Sequence, residues 1–340
     1  MKFSDRLILC CGVLTAVFFC ACGGKKEPRI TKSMFLMSVP ARITVYGPAG
    51  NSTLPLADEI FKEWKRIAAE YSFDEPYSFT SFVNNKAYGE WVKVDEEFLN
   101  LIGLSLDYSK LTGGAFDITF APLWPVWKNA GSSKKMPPKN EISAALENIG
   151  SQYIQVNRER KMVRFSKPIQ LNLGGILRSY CMSRAYALLK KNRPLLAPIE
   201  IKLGGYMLAG GRRAWQYPVA DPFQKGKTLG KFVFEDGVVM SSSGRDHFVQ
   251  IEGMLYSHIL NIKTGYPIDD FSDLIVYYPS LEGGNYIPSA VLAVMGKEKA
   301  FGLLSKMKGA AAVWIDGSGQ VSVFSNSDSL AKWEGEKGLF

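Results

Sequence analysis

Histidine, cysteine, runs of like charge and long apolar runs are all scarce in this sequence. Only two histidines occur in 340 residues, at positions 247 and 258, so imidazole chemistry is confined to one stretch, Ser241 to Pro267. The net charge is +9, yet no block of lysine and arginine is long enough to act as a nucleic-acid arm. A diffuse positive surface suits an anionic ligand or a membrane face, and no nucleic-acid partner is expected. The one extended apolar run, Leu7 to Phe19, is shorter than the roughly 20 residues a membrane-crossing helix needs.

What is present at the N-terminus accounts for most of the cysteine. A basic start, Met1 to Arg6, precedes the apolar run, and Phe19-Cys-Ala-Cys22 resembles a relaxed bacterial lipobox with Cys22 as the acylated residue. Residues 1–21 are therefore expected to be a lipoprotein signal peptide, and 22–34, carrying Lys25, Lys26 and Arg29, a polar tether. Cleavage would remove Cys10, Cys11 and Cys20, leaving Cys22 for acylation and Cys181, so no internal disulfide is expected. The expected location is the bacterial cell envelope, with the domain lipid-anchored on the extracytoplasmic side. A composition 46% hydrophobic and 12% aromatic supports one large packed core over 35–326, with 327–340 as a C-terminal tail.

Periodicity sets out an α+β order. Phe35 to Tyr46 alternates as a strand, with Met37-Ser38-Val39 at its start, and Leu56 to Tyr71 has apolar residues at helical spacing. Tyr77 to Asn85 is rich in Ser and Asn, and Asp95 reads as the N-cap of a helix with acids in its first turn. Asn129 to Pro138 reads as a loop. Gln170 to Lys191 reads as strand, glycine turn, helix, the geometry that presents backbone amides to a phosphate. The Ile199–Tyr206 segment repeats the strand with a glycine pair. Phe248–Ile251 and Met254–Leu260 read as a strand pair, with His258 near its end and a tight turn at Gly265. Tyr286 to Gly296 reads as a helix with Pro288 in its first turn.

Several of these stretches, in this order, resemble one family. Thr112-Gly-Gly-Ala-Phe-Asp-Ile-Thr-Phe-Ala-Pro-Leu-Trp124 is close to "TGGAFDPT…PL". Leu171-Asn-Leu-Gly-Gly-Ile-Leu-Arg-Ser-Tyr180 is similar to "DLGGIAKGY". Lys202-Leu-Gly-Gly-Tyr206 follows "N.GGD", and Ser243-Gly244 with His258-Ile-Leu-Asn-Ile-Lys-Thr-Gly-Tyr-Pro267 follows "SG…HI(I/L)DP.TGYP". These are motifs of the ApbE-type FAD:protein FMN transferases, and the resemblance spans roughly Phe35 to Phe324. Packing glycines alone would explain either glycine pair singly, but not both in this order.

The resemblance implies a T-fold-like α+β domain, with a mixed sheet and surrounding helices, that binds FAD and moves FMN to a Thr or Ser hydroxyl of a target protein with release of AMP. It implies His258 as the catalytic base. It also implies flavin contacts from Asn84, Asp117, Thr119, Gly174, Gly175, Arg178, Tyr180, Gly204, Gly205, Ser243, Gly244, Arg245, Thr264 and Gly265. For Asp117, capping a turn and meeting the ligand stay equally open. The family's magnesium is held partly by an Asp and a Thr four residues apart, and those positions hold Tyr286 and Ala290. Asn172, Tyr206 and Asn261 replace three further family carboxylates, so no metal ligand is carried over. Two readings follow: an FMN transferase or FAD pyrophosphatase, or a non-catalytic flavin- or nucleotide-binding lipoprotein or interaction protein on the same scaffold.

Overall fold

The computed structural model describes residues 14–16, 27–47, 50–192, 197–211, 213–245, 248–268, 270–284 and 286–335. Cys22, Asp246 and His247 lie outside them.

Among the described residues the backbone is organised on a nine-stranded sheet, whose edge strand Leu14–Ala16 lies within the expected signal peptide and would leave with it. In spatial order its strands are Leu14–Ala16, Arg29–Leu36, Val39–Tyr46, Ile199–Leu203, Tyr206–Gly210, Gly237–Ser243, Asp273–Tyr278, Ala311–Ile315 and Val321–Ser325. Every neighbouring pair is antiparallel. Side chains alternate across the pleat, so each central strand feeds two cores. Val238, Met240, Leu274, Val276 and Tyr278 join one of them, packing with the helices Gly50–Tyr71 and Gly174–Asn192 through Ile60, Trp64, Ile67, Ile176 and Leu177. Val239, Ile275 and Tyr277 join the other, under a three-stranded sheet made of Trp215–Ala220, Thr228–Phe234 and Lys332–Gly335.

A third, smaller core joins the helices Leu123–Ser133 and Lys139–Leu146 to the hairpin Phe248–Ile251 with Met254–Ser257, through Trp127, Ile142, Ile251 and Leu260. This packing carries the 248–267 region, and so His258, against the helical side of the molecule.

Several boundaries differ from the periodicity reading. Met37 and Ser38 form the turn of a hairpin, at φ 47° and 61°, because the polar Arg29–Thr31 stretch also pairs as a strand. Part of the expected tether is thus sheet. Tyr77 to Asn85, which the resemblance implies to be a loop, overlaps the helix Phe79–Lys86, started by Ser78, whose Oγ accepts the Ser81 N–H at 3.0 Å. The expected loop from Asn129 begins inside the helix Leu123–Ser133. Tyr286 precedes its helix, which is only Ser289–Ala293, with Pro288 at the N-cap where its missing N–H costs nothing. The fold also runs past residue 326, since Lys332–Gly335 pairs with Thr228–Phe234.

Candidate functional site

Residues 170–172 are irregular, not the expected strand, and the first glycine pair opens the helix Gly174–Asn192 directly. Before it, the Asn172 N–H donates to the Ile118 carbonyl at 2.6 Å and the Asn172 Oδ1 accepts the Gly174 N–H at 2.9 Å. The side chain that replaces a family carboxylate thus holds its own turn. A Cβ on Gly175 would lie 2.9 Å from the Phe116 ring, so glycine is what lets the Thr112–Thr119 loop close on the helix start.

Arg178, one turn into that helix, is half-buried. Its Cζ lies 5.7 Å from the centroid of the Tyr206 ring, and among the described residues its guanidinium has no hydrogen-bond acceptor or carboxylate. Tyr180 turns elsewhere. Its hydroxyl donates to Glu97 Oε1 at 2.6 Å, inside a network with Arg66 and Tyr71, and burial with that carboxylate pushes the phenol pKa up.

The second glycine pair turns the chain between Ile199–Leu203 and Tyr206–Gly210, with Gly204 at φ +57°. The Gly205 carbonyl accepts the Tyr217 hydroxyl at 2.6 Å and the Ser241 hydroxyl at 2.9 Å. Tyr206 is buried, with its hydroxyl 3.3 Å from Ser289 Oγ, and Ser289 Oγ is 2.8 Å from Ser242 Oγ. Sequence reasoning missed Ser242 as a partner of Ser289. The alternation of Ser241, Ser242 and Ser243 along a strand was the available signal, since it sends Ser242 to the face opposite its neighbours. Ser243 Oγ accepts the Arg245 N–H at 3.1 Å, the Gly244 N–H donates to the Ser272 carbonyl at 2.7 Å, and the Arg245 Cζ sits 4.0 Å from the Phe223 ring centroid.

Asp117 and Thr119 form a closed knot. Asp117 Oδ1 accepts the Thr119 N–H and hydroxyl at 2.9 and 2.8 Å, and Oδ2 accepts the Ser151 N–H at 2.7 Å. Thr119 Oγ1 in turn accepts the Gly150 N–H at 2.7 Å. Asn84 is also engaged, donating to the Leu171 carbonyl and accepting the Leu171 N–H.

The hairpin strand ends at Ser257, so His258 stands just beyond it, half-buried, before the turn Asn261–Gly265. Gly265, at φ +76°, donates its N–H to the Asn261 carbonyl, and its own carbonyl accepts the Trp127 indole N–H at 2.8 Å. Asn261 Oδ1 accepts the Lys263 N–H, and Thr264 Oγ1 accepts the Tyr266 N–H. This turn stands between two cavities. One, of about 470 Å³, is lined by Asn261 and Thr264 with Tyr266, Phe271, Met295 and Trp314. The other, of about 310 Å³, is lined by Lys263 with Ser109, Gly114, Asp117, Ser151 and Gln152. The first is lined partly by aromatic and apolar side chains and the second mostly by polar ones.

Neither Tyr286 nor Ala290, on either side of Ser289, offers an anionic oxygen. Tyr286 is buried, burial raises its phenol pKa above the usual 10, and it stays protonated. Ala290 offers a methyl, and among the described residues no group of three His, Cys, Asp or Glu side chains could hold a metal ion. Magnesium demands near-octahedral hard oxygen ligands, which this set lacks.

Residues 37–314 match the sequence profile of the ApbE family. The FAD:protein FMN transferase of Klebsiella pneumoniae is 24% identical over 287 residues, covering 83% of this chain and 88% of that protein. That of Treponema pallidum is 23% identical over 321 residues, 87% of each. Among solved structures, the ApbE protein of Thermotoga maritima superposes with a TM-score of 0.75 at 24% identity, covering 89% of this chain and 97% of that one. The flavin transferase ApbE of Vibrio cholerae gives 0.72 at 18% identity, covering 89% and 98%.

Proposed function

We propose that this chain, which belongs to the ApbE family, takes FAD as its substrate and transfers FMN from it to a Thr or Ser hydroxyl of a protein. The observation that carries this reading is the pair of unlike cavities on either side of the turn Asn261–Gly265. They match a ligand whose aromatic flavin and polar nucleotide ends are joined by a pyrophosphate. The acceptor oxygen attacks the phosphorus on the FMN side, its proton passes to His258, and the bond to AMP breaks with the electron pair leaving on AMP. His258, poised between the hairpin and the turn, is the one described histidine and the base in this scheme.

A second reading is favoured by one observation: Tyr286 and Ala290 supply no anionic oxygen, so flavin is held without turnover. A release assay separates the two. With a Thr-bearing protein, the transferase yields AMP and a covalently fluorescent acceptor, and His258→Ala abolishes both. Tight FAD binding with no AMP selects the second reading, and no binding removes both.

The same proposal places the domain at the envelope membrane, anchored through Cys22 on the extracytoplasmic side. The lipobox-like Phe19-Cys-Ala-Cys22 supports this, and among the described residues no helix is long and apolar enough to cross a membrane. Labelled palmitate should enter the protein and be lost in Cys22→Ser; equal labelling of the variant refutes the anchor.

A further inference from the structure

We propose that Tyr206 is a positioning residue that holds the Arg178 guanidinium for the pyrophosphate of the dinucleotide. We further infer that the hydroxyl chain Tyr206–Ser289–Ser242 makes this anion site independent of a divalent cation. The inference rests on FAD as the ligand and adds how its charge is met.

Arg178 is the starting point. A half-buried guanidinium carries five fixed N–H donors and cannot be neutralised by losing its proton. Inside a folded protein such a group normally finds a carboxylate or carbonyl, yet among the described residues Arg178 has neither. What it does have is the face of Tyr206, a neutral ring that fixes the direction of the side chain by cation–π attraction without occupying its donors. The donors stay available to an external anion, and phosphate oxygens match their planar fork.

Tyr206 is itself immobilised. Its hydroxyl pairs with Ser289 Oγ at 3.3 Å, and Ser289 with Ser242 Oγ at 2.8 Å. Tyr206 and Ser289 are almost fully buried, at 2% and 0% exposure. Each hydroxyl both donates and accepts, so the chain satisfies itself with no net charge. Tyr286, beside it, is protonated as well. The floor beneath Arg178 is therefore neutral, and the fixed charge contributed by these five side chains is the single positive one of Arg178. Such a floor attracts a polyanion and gives a divalent cation nothing to bind.

The test is FAD affinity, read by flavin fluorescence quenching in EDTA and in excess magnesium, with a thermal melt for every variant. The unmodified chain should bind equally in both conditions, within twofold. Arg178→Ala should weaken binding at least tenfold and Tyr206→Leu at least fivefold. Tyr206→Phe, which keeps the ring but loses the hydroxyl that pairs with Ser289, should weaken binding less than Tyr206→Leu does. In the Arg178→Ala background, Tyr206→Leu should add nothing, a coupling that a merely structural role would not produce. If Tyr206→Leu is too unstable to titrate, Tyr206→Met removes the ring while keeping bulk and is read the same way. Unchanged affinity without the ring, additive losses in the double variant, or a loss of affinity in EDTA each overturn the inference. Absence of FAD binding by the unmodified chain would instead refute the ligand. Calorimetric titration with inorganic pyrophosphate then decides: binding lost in Arg178→Ala upholds the site, and no binding overturns it.

Discussion

Asp117 and Arg178 are both charged, both sit in motif stretches, and their segments meet where Phe116 closes on Gly175, yet the chain treats them oppositely. Every oxygen of Asp117 is taken by the protein's own donors, Thr119 and Ser151, and the side chain is buried. Arg178 is left with an aromatic face and, among the described residues, no acceptor. The contrast shows that matching a motif does not assign a role. Asp117 spends its oxygens on its neighbours' donors while still lining the smaller cavity, and Arg178 keeps its donors without an acceptor among the described residues.

The widest gap should appear in stability. Asp117→Ala orphans two buried backbone or hydroxyl donors at Thr119 and one at Ser151, so unfolding free energy should fall by about 3 kcal/mol or more. Denaturant titration measures this, and a loss under about 1 kcal/mol would mean that the knot is not a structural element.

Glu63 is an intermediate case, bound to Arg66 and Arg184 but partly open to water. Hydrogen bonding from Arg66 is the main cause holding its pKa below the usual 4.5, against the opposing effect of burial. A carboxyl depressed in the folded state contributes stability that is present above its unfolded pKa and lost as pH falls through the folded value. Stability should therefore decline on acidification below about pH 4.5, and Glu63→Gln should flatten that decline. Parallel pH profiles for the two proteins would remove Glu63 from the acid response.

The smallest effect belongs to the open charge. Arg178→Ala should change unfolding free energy by no more than about 1 kcal/mol, the scale of a cation–π contact. Its cost should fall on ligand affinity instead. A stability loss as large as that of Asp117→Ala would erase the distinction between the two residues.

Much of the fold was legible because it rests on local rules. Asp95 caps its helix as its position before the acidic first turn suggested, accepting the Phe98 N–H at 2.6 Å. The hairpin before His258 pairs as expected but ends at Ser257 with Met254 and Leu255 both exposed, and of the two glycine pairs the first opens a helix and the second stands at a turn. The misread boundaries depended on partners far along the chain. Arg29–Leu36 is too polar to announce itself as a strand and forms by pairing with Val39–Tyr46. Lys332–Gly335 has four residues and gains its order from Thr228–Phe234. Phe79–Lys86 is rich in Ser, Thr and Asn, which favour loops until a cap and a packed face override them. Within the candidate site, Tyr180 could not have been turned toward Glu97 from spacing alone, since 83 residues separate them. Ser289 gained its place when Pro288 delayed the helix start.

The order of strands in the large sheet also sets a timetable. The hairpin Arg29–Tyr46 is complete early, but the inner edge of Val39–Tyr46 pairs with Ile199–Leu203, with Ala41 opposite Leu203 and Val45 opposite Ile199. At a synthesis rate of about 5–20 residues per second, roughly 150 intervening residues keep that edge without its partner for about 8–30 s. During that interval its row of amides and carbonyls is a template for any other extended chain, including a second nascent copy. The protein's yield in a cell should thus depend on how well this one edge is shielded until the second half of the sheet arrives.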